Sequence, residues 1–221
     1  MIATLLDFDG VLVDSELVHL AAFNDVLVKH GLSITEKEYL ERYISLDDAN
    51  VFRAVLSRGG RTLREDEVRT AVTAKMPLFM ARFADGFRVF PGAVELIARR
   101  AARGPVAIVS GALEPEIEFA LQKMGAREHI AFIVSAEKAL ASKPDPASFL
   151  MAVDLLQRGG HAGPAVAVED SIGGVAAAKR ARLRCVAVAH SHPKDELVRA
   201  GADAVTANLD ELTDAVLEDG L

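Results

Sequence analysis

Residues 3–15 read ATLLDFDGVLVDS, in which a short apolar run is followed directly by two closely spaced acids. Ala3–Leu6 has the continuous apolar composition of a strand that is covered on both faces of a parallel sheet. Asp7 and Asp9 follow it, and on an extended strand this spacing places both carboxylates on one side. Carboxylates this close repel each other, so we expect a positive group to hold them. Solvated turn acids are the alternative, which the buried strand directly before them disfavours.

Further short apolar runs follow along the chain, separated by segments with helical spacing. The runs are Val106–Val109, Phe132–Val134, Val166–Val168, Arg184–Val188 and Ala204–Val205. The helical segments are Ala93–Arg103, Glu114–Met124, Pro146–Leu156, Ile172–Ala181, Asp195–Ala200 and a last one from Leu209 to Leu217. This alternation predicts an α/β fold with a doubly wound, Rossmann-like parallel-sheet core.

One long stretch, from Ser15 to about Asp85, contains helical patterns and no convincing strand. The patterns cover Leu17–Lys29, Glu36–Tyr43, Asp47–Leu56 and Arg64–Ala84. A block of this length cannot be an ordinary crossover between strands. We therefore predict an α/β core from residues 1–14 and 87–221, with an all-helical cap, residues 15–86, inserted after the first strand and hinged at its two chain crossings.

A second acidic pair, Glu169-Asp170, follows the apolar run that ends at Val168. Parallel strands finish at one edge of the sheet, so this pair can converge with the first. Converging carboxylate oxygens favour Mg²⁺, with water and a substrate phosphate completing its coordination. The same pair could also cap the following helix, where acids complement the helix dipole, and both readings can hold together.

Two weaker signals lie at the ends of other predicted strands and loops. Ser110-Gly111 follows Val106–Val109, and a hydroxyl with backbone N–H groups before a helix makes an anion site. Lys143 precedes Pro144-Asp145-Pro146, a rigid loop that opens a helix. A lysine in such a place is ordinarily exposed and inert, so its meaning depends on the residues around it.

Together these segments resemble the four motifs of the haloacid dehalogenase-like superfamily. Residues 7–15, DFDGVLVDS, resemble the first motif, and Ser110, Lys143 and residues 168–171, VEDS, resemble the second, third and fourth in order. The insert corresponds to the family's helical cap, so the resemblance covers essentially the whole chain. The most similar branch contains phosphoglycolate-phosphatase-like and β-phosphoglucomutase-like enzymes.

The resemblance implies a magnesium-dependent phosphatase that hydrolyses a small phosphorylated metabolite, a sugar phosphate or a phosphoglycolate-like ester. Asp7 would attack phosphorus and form an aspartyl-phosphate. Asp9 would act as general acid and then general base. Mg²⁺ would be held by Asp7, the Asp9 main-chain carbonyl and Asp170, with Glu169 nearby. Phosphate binding would fall to Ser110, Gly111 and Lys143.

The resemblance also singles out two residues of the predicted cap as substrate-binding. His19 lies on the first cap helix, where members of this branch often carry a histidine that faces the substrate, and Lys75 lies where relatives carry a cap lysine near the site. The ordinary alternative for each is an exposed helix residue.

Composition limits the partners and the compartment. A net charge of −7 disfavours nucleic acid and anionic membranes as partners, because both need a basic field. The single cysteine, Cys185, excludes an internal disulfide and fits a reducing compartment. No signal-peptide pattern and no apolar stretch of spanning length is present. We expect a cytoplasmic monomer whose partner is a small-molecule phosphate ester.

Two other functions remain open at this stage. A phosphosugar mutase of the β-phosphoglucomutase type uses the same aspartyl-phosphate but must also hold a second phosphate. Mutases of this branch hold that phosphate with an arginine of the cap. The matching position here is Leu46 in residues 43–48, YISLDD, although Arg42 and Arg53 are close enough in sequence to substitute. A receiver-like phosphoacceptor domain shares the acids, hydroxyl and lysine, but such domains lack a helical insert of this size.

Overall fold

The structure is a computed structural model and describes residues 1–44, 46–60 and 63–221. Its strands are β1 (Ala3–Leu6), β2 (Val13–Asp14), β3 (Arg88–Val89), β4 (Val106–Val109), β5 (Phe132–Val134), β6 (Ala165–Glu169), β7 (Arg184–Val188) and β8 (Ala204–Thr206). Its α-helices are α1 (Glu16–Leu27), α2 (Glu36–Arg42), α3 (Asp48–Leu56), α4 (Glu65–Asp85), α5 (Ala93–Ala101), α6 (Glu114–Lys123), α7 (Ala147–Arg158), α8 (Ile172–Arg180), α9 (Lys194–Ala200) and α10 (Asp214–Glu218). Short 3₁₀ turns cover Val28–His30, Arg58–Gly60, Arg127–His129 and Leu209–Glu211.

Six of the strands form one parallel sheet in the order β5-β4-β1-β6-β7-β8, and β2 and β3 form a separate two-stranded sheet. β1 lies inside the large sheet, with Leu5 opposite Ala107 of β4 on one side and Ala167 of β6 on the other. The chain builds outward from β1 through β4 and β5, and then returns to its other side with β6. The carboxyl end of β1 therefore lies at the switch point of the topology, where open α/β sheets bind ligands.

The two faces of the large sheet are covered by different helices. Alternate side chains such as Leu5 and Val109 join Phe149 of α7, Val175 of α8 and Leu197 of α9 in one hydrophobic core. On the other face, Thr4 accepts a hydrogen bond from the buried guanidinium of Arg100 in α5 (2.9 Å). Because both faces are covered, the strands read as continuous apolar runs, and the predicted doubly wound α/β core is confirmed.

The chain divides into two compact units. One comprises residues 1–14 and 89–221 and contains the large sheet, and the other comprises residues 15–88. The sequence placed the second boundary at 86/87, two residues earlier. No strand occurs among the described residues of 15–87, in which α1 to α4 enclose a separate core built around Phe23, Phe52 and Val55. We call this second unit the cap.

The predicted last helix, from Leu209 to Leu217, is wrong in its continuity. The chain forms a 3₁₀ turn over Leu209–Glu211, and α10 begins only after Thr213. The Thr213 hydroxyl accepts a hydrogen bond from the Val216 N–H (3.3 Å), which caps the helix at that point. Throughout the described ranges, no helix has both the length and the apolar character that crossing a membrane requires.

Candidate active site

Asp7 lies directly beyond the last residue of β1, in a turn rather than in the strand. The turn is closed by two hydrogen bonds to the Phe8 carbonyl, from the N–H groups of Leu12 and Val13 (2.9 and 3.1 Å). Gly10 adopts a left-handed conformation within it (φ +74°). The extended backbone that was expected from Asp7 to Asp9 is therefore replaced by a turn. Asp7 is nevertheless anchored to the sheet, because its N–H donates to the Val168 carbonyl of β6 (3.0 Å).

Lys143 joins the ends of three neighbouring strands. Its Nζ lies 3.1 Å from Oδ1 of Asp7 beyond β1 and 2.5 Å from Oε1 of Glu169 at the end of β6. It also donates to the main-chain carbonyl of Val109 at the end of β4 (2.9 Å). Asp7 Oδ1 accepts a further hydrogen bond from the Phe8 N–H (2.8 Å). The sequence predicted that a positive group would hold Asp7 and Asp9, and Lys143 is such a group for Asp7, although its second carboxylate partner is Glu169.

The carboxylates of Asp7, Glu169 and Asp170 form an acidic cluster. Each offers an oxygen within 4.8 Å of the others, and all three side chains are buried. Gly10 permits this closeness, because a Cβ at that position would lie 1.8 Å from Asp170 Oδ2. Gly174 does the same for Glu169, since its Cβ would lie 1.9 Å from Oε2. The local backbone is thus built around these two carboxylates.

The acidic cluster carries more negative charge than Lys143 can balance. Burial, and then the charge of Asp7, raise the pKa of Glu169 to about 7 although Lys143 opposes the shift. Burial raises the pKa of Asp170 well above its ordinary value, and the charges of Asp7 and Glu169 add to the effect. For Lys143 burial lowers the pKa, but the two neighbouring carboxylates outweigh it and the net shift is upward. Three buried acids around one ammonium are a site for a cation.

Ser110 and Gly111 lie where β4 ends. The buried Ser110 Oγ accepts a hydrogen bond from the Ala112 N–H (3.1 Å), which leaves the hydroxyl hydrogen to be donated elsewhere. Gly111 is exposed, and a Cβ there would meet no atom within 4 Å. Lys143 Nζ donates to the Val109 carbonyl, which precedes this pair in the chain. The ammonium therefore lies next to the main chain that leads into Ser110 and Gly111.

Asp9 lies two residues beyond Asp7 in the same turn and is less buried than Asp7. Its backbone forms an isolated bridge with Val13. Its carboxylate does not belong to the acidic cluster. The predicted contact of Asp9 with a metal is through its main-chain carbonyl. The position of the Asp9 carboxylate therefore does not test that prediction.

The two predicted substrate-binding residues of the cap contact each other. Lys75 Nζ lies 2.8 Å from His19 Nδ1 and 2.5 Å from Asp48 Oδ1. The ammonium also lies 4.1 Å from the ring centroid of Phe23, and His19 stacks on Phe79 with the ring centroids 4.2 Å apart. Burial and the charge of Lys75 lower the pKa of His19 well below its usual value. The alternative that Lys75 is an exposed helix residue is wrong, because its side chain is 2% exposed.

Several contacting residues were missed by the sequence reasoning. Ser171 donates to Glu169 Oε2 (3.2 Å), and its Oγ accepts the Gly174 N–H as the cap of α8. Ser191 lies close enough to Asp170 to lower the pKa of its carboxyl, against the net rise caused by burial. Gly173-Gly174 near the start of a helix could have indicated the contact with Glu169, because paired glycines there let another group approach the backbone closely. Asp48 carried no signal of its own, because its role depends on the distant Lys75.

Comparison with known proteins agrees with this geometry. The family model described as haloacid dehalogenase-like hydrolase matches residues 4–188. Among curated proteins, a phosphoglycolate phosphatase of Rhodospirillum rubrum is 28% identical over 217 residues, covering 96% of this chain and 89% of the relative. Hexitol phosphatase B of Escherichia coli is 27% identical over 221 residues, covering 96% of this chain and 95% of the relative.

Solved structures are similar over the full chain. The protein CbbY of Rhodobacter sphaeroides, solved in complex with phosphate, is 29% identical with a TM-score of 0.81, covering 99% of this chain and 100% of that one. A β-phosphoglucomutase of Clostridium difficile is 21% identical with a TM-score of 0.80, covering 99% and 96%, which is evidence of shared fold. This chain belongs to the haloacid dehalogenase-like hydrolase family and is a phosphoric monoester hydrolase.

Proposed function

We propose that this protein is a magnesium-dependent phosphatase that hydrolyses a small phosphorylated metabolite through an aspartyl-phosphate on Asp7. The observation that carries the proposal is the position of Lys143, which binds Asp7, Glu169 and the end of β4 at once. This arrangement concentrates a nucleophilic carboxylate, a cation and an anion-binding turn at one edge of the sheet. Phosphoryl transfer needs these groups, because it depends mostly on positioning and charge.

The residues present fit a divalent cation. The acidic cluster offers hard oxygen ligands within 4.8 Å of one another. Burial, and then the neighbouring carboxylates, raise the pKa of Glu169 and of Asp170. Asp7, Asp170 and the Asp9 carbonyl would hold Mg²⁺, with Glu169 beside them. When bound, Mg²⁺ would neutralise charge on the oxygens of the transferring phosphoryl group.

The chain's own residues then divide the reaction into two steps. In the first, an Asp7 oxygen bonds to phosphorus while the ester bond breaks, and Asp9 donates a proton to the departing oxygen. In the second, Asp9 takes a proton from water, which attacks phosphorus and breaks the bond to Asp7. Inorganic phosphate leaves and both aspartates return to their starting states. Ser110, Gly111 and Lys143 hold the phosphoryl oxygens throughout.

The substrate is proposed to be a small ester of the sugar phosphate or phosphoglycolate type. The relatives support this class, since those with matching length include a phosphoglycolate phosphatase and a hexitol phosphatase. His19 and Lys75 are the proposed cap contacts with the substrate. Their mutual hydrogen bond makes them one polar group rather than two separate contacts.

Hydrolysis is favoured over phosphosugar mutation by Leu46 and by the contacts of Arg53. A mutase must capture a second phosphate, and arginine suits that task. Leu46 is 41% exposed and cannot pair with an anion, while its neighbour Ser45 lies outside the described residues. Of the two arginines that could substitute, Arg53 is engaged by both oxygens of Glu65 (3.1 and 2.8 Å). Asn50 binds the same guanidinium.

The test is a screen of phosphorylated metabolites with Mg²⁺ that measures released phosphate. It includes phosphoglycolate, hexitol phosphates and β-glucose 1-phosphate, the last with a trace of its bisphosphate. Phosphate release from at least one ester, abolished by chelator, is the expected result. Rapid conversion to glucose 6-phosphate with negligible phosphate release would identify a mutase instead, and turnover that persists in excess chelator would remove the metal from the proposal.

A further inference from the structure

The turn that carries Asp9 is braced by a residue from a distant part of the chain. His190 follows β7, and its Nδ1 lies 2.8 Å from the carbonyl oxygen of Gly10. The His190 ring also stacks on Phe90, with centroids 3.9 Å apart and planes 16° apart. Because one ring nitrogen is hydrogen-bonded and one face of the ring is stacked, the imidazole has little freedom to rotate.

The tautomer of His190 follows from its partner. A carbonyl oxygen only accepts hydrogen bonds, so Nδ1 must be the nitrogen that carries hydrogen. Burial lowers the pKa of His190, although the Gly10 contact and the charge of Asp14 oppose the shift. The ring is therefore held as the neutral tautomer protonated on Nδ1, a donor aimed at a single backbone oxygen.

Through its hydrogen bond to Gly10, His190 could influence the position of Asp9. Gly10 follows Asp9 directly, and its left-handed backbone packs against the Asp170 carboxylate so closely that no Cβ would fit. Its N–H donates to the Val13 carbonyl (2.8 Å), so with His190 both of its backbone polar groups are bound. A rotation of the Gly10 carbonyl would turn the segment that carries Asp9.

The same loop reaches the other side of the site. Ser191, the next residue, lies close enough to the Asp170 carboxyl to lower its pKa, against the net rise caused by burial. Of two consecutive residues after β7, one therefore contacts the turn beyond β1 and the other lies near the acid beyond β6.

We propose that His190 is a positioning residue which fixes the Gly10 carbonyl and thereby holds Asp9 in place to protonate the departing oxygen. This inference rests on the proposed function, in which Asp9 is the general acid. His190 itself touches neither the phosphoryl group nor the acidic cluster in this account. Its effect is confined to the step that needs an oriented proton donor.

The step can be isolated by changing the leaving group. Departure of 4-nitrophenolate needs little protonation, whereas an alkoxide needs a proton from Asp9. The value of kcat/KM reports events up to the transfer of the phosphoryl group to Asp7, before water attack. The two probes are 4-nitrophenyl phosphate and whichever of phosphoglycolate and sorbitol 6-phosphate the wild type hydrolyses.

Three variants of His190 separate the donor from the ring. His190→Phe keeps the ring and removes the donor. His190→Asn places an amide donor near the position of Nδ1, and His190→Gln places one near the position of Nε2 instead. The control is His161→Phe, because His161 also contacts a backbone carbonyl, that of Pro164 (3.2 Å), but lies at the start of β6, away from the site.

For His190→Phe and His190→Gln we expect kcat/KM for the alkyl ester to fall about tenfold to a hundredfold, the scale of a misplaced catalytic group. The loss with 4-nitrophenyl phosphate should stay within about threefold, because general acid catalysis contributes little there. His190→Asn should recover most of the loss, and His161→Phe should match the wild type. If His190→Phe does not fold, the Asn and Gln pair carries the comparison.

Equal losses for both esters, or no loss for either, would overturn the role of His190 while leaving the phosphatase intact. A failure of Asn to recover more activity than Gln would do the same. A wild type that binds Mg²⁺ but hydrolyses neither these esters nor any other in the metabolite screen would overturn the proposed function and this inference with it.

Discussion

Each unit of the molecule holds a lysine in an ion pair, and the two lysines have different electrostatic surroundings. Lys143 of the core contacts the carboxylates of Asp7 and Glu169, and the acidic cluster adds Asp170. Lys75 of the cap contacts one carboxylate, that of Asp48, together with a neutral imidazole and an aromatic ring. The core lysine is thus outnumbered by acids, whereas the charge of the cap lysine is balanced.

The difference between the two lysines indicates which of the two sites needs a bound cation. Unbalanced buried negative charge raises carboxyl pKa values and is relieved by a bound cation, as proposed for the acidic cluster. Around Lys75 the described residues show no such excess, because Asp48 compensates the ammonium, and burial and the charge of Lys75 lower the pKa of His19. The role proposed for His19 and Lys75 is therefore to bind an ester by hydrogen bonds.

Replacing the nucleophile should have the largest effect. Asp7→Asn removes the attacking carboxylate and one of the charges around Lys143, so turnover should fall by more than about a hundredfold while the protein stays folded. Phosphate release and circular dichroism measure the two quantities. With beryllium fluoride and Mg²⁺, the wild type should bind the phosphoryl mimic and the variant should not. Turnover above about a hundredth of wild type in the variant would contradict covalent catalysis.

Replacing each lysine with methionine tests whether the charge surroundings of Lys143 and Lys75 differ. Lys143→Met leaves Glu169 buried without its cation, a change that typically costs about 3–5 kcal/mol when a buried pair is broken. It also removes a phosphate contact, so we expect turnover to fall at least about a hundredfold. Lys75→Met is the matched variant. Asp48 is 38% exposed and can be hydrated, and the methionine can pack against Phe23 and Phe79, so stability should change little.

For Lys75→Met we expect KM or turnover to shift by about tenfold or less, since one hydrogen-bonding group is lost. Thermal unfolding and steady-state kinetics of the two methionine variants are measured side by side. Equal losses of stability and activity in both variants would show that the charge balance of the two lysines does not differ as described.

Weakening the proposed metal ligands should change the metal requirement more than the protein. Asp170→Asn removes a charged ligand, so the Mg²⁺ concentration for half-maximal activity should rise about tenfold or more. Ca²⁺ should inhibit the wild type, because its looser coordination misplaces the nucleophile. Activity titrations in both ions measure this. An unchanged Mg²⁺ requirement in Asp170→Asn would exclude this carboxylate as a ligand.

The smallest effect is a coupling of pH to stability. The pKa of Glu169 is about 7 in the folded protein against 4.5 ordinarily, so the folded state binds the proton more tightly. Without metal, stability should therefore fall as pH rises from about 4.5 to 7. Mg²⁺ competes with protons, so its stabilisation should be greater at pH 8 than at pH 5, by about a few degrees in Tm. Melting curves with and without Mg²⁺ test the prediction, and Glu169→Gln should weaken the pH dependence.

Much of the core was predictable because buried parallel strands leave a plain signature. The runs ending at Leu6, Val109 and Val134 match strand ends in the structure, since a strand covered on both faces must be apolar throughout. Prediction failed where local hydrogen bonds compete with the pattern, as in the turn that begins at Asp7 and at the break before Thr213.

The fold class and the helical insert could be inferred from the sequence, and residues of a core site could be predicted from it, because strand periodicity and motif order are properties of neighbouring residues. Which groups meet is known from the structure alone: Lys143 with Glu169, Lys75 with Asp48, and His190 with Gly10. These partners are 26, 27 and 180 residues apart in the chain. Such pairings depend on how helices and strands pack and where their loops end, and a local pattern of residues does not contain that information.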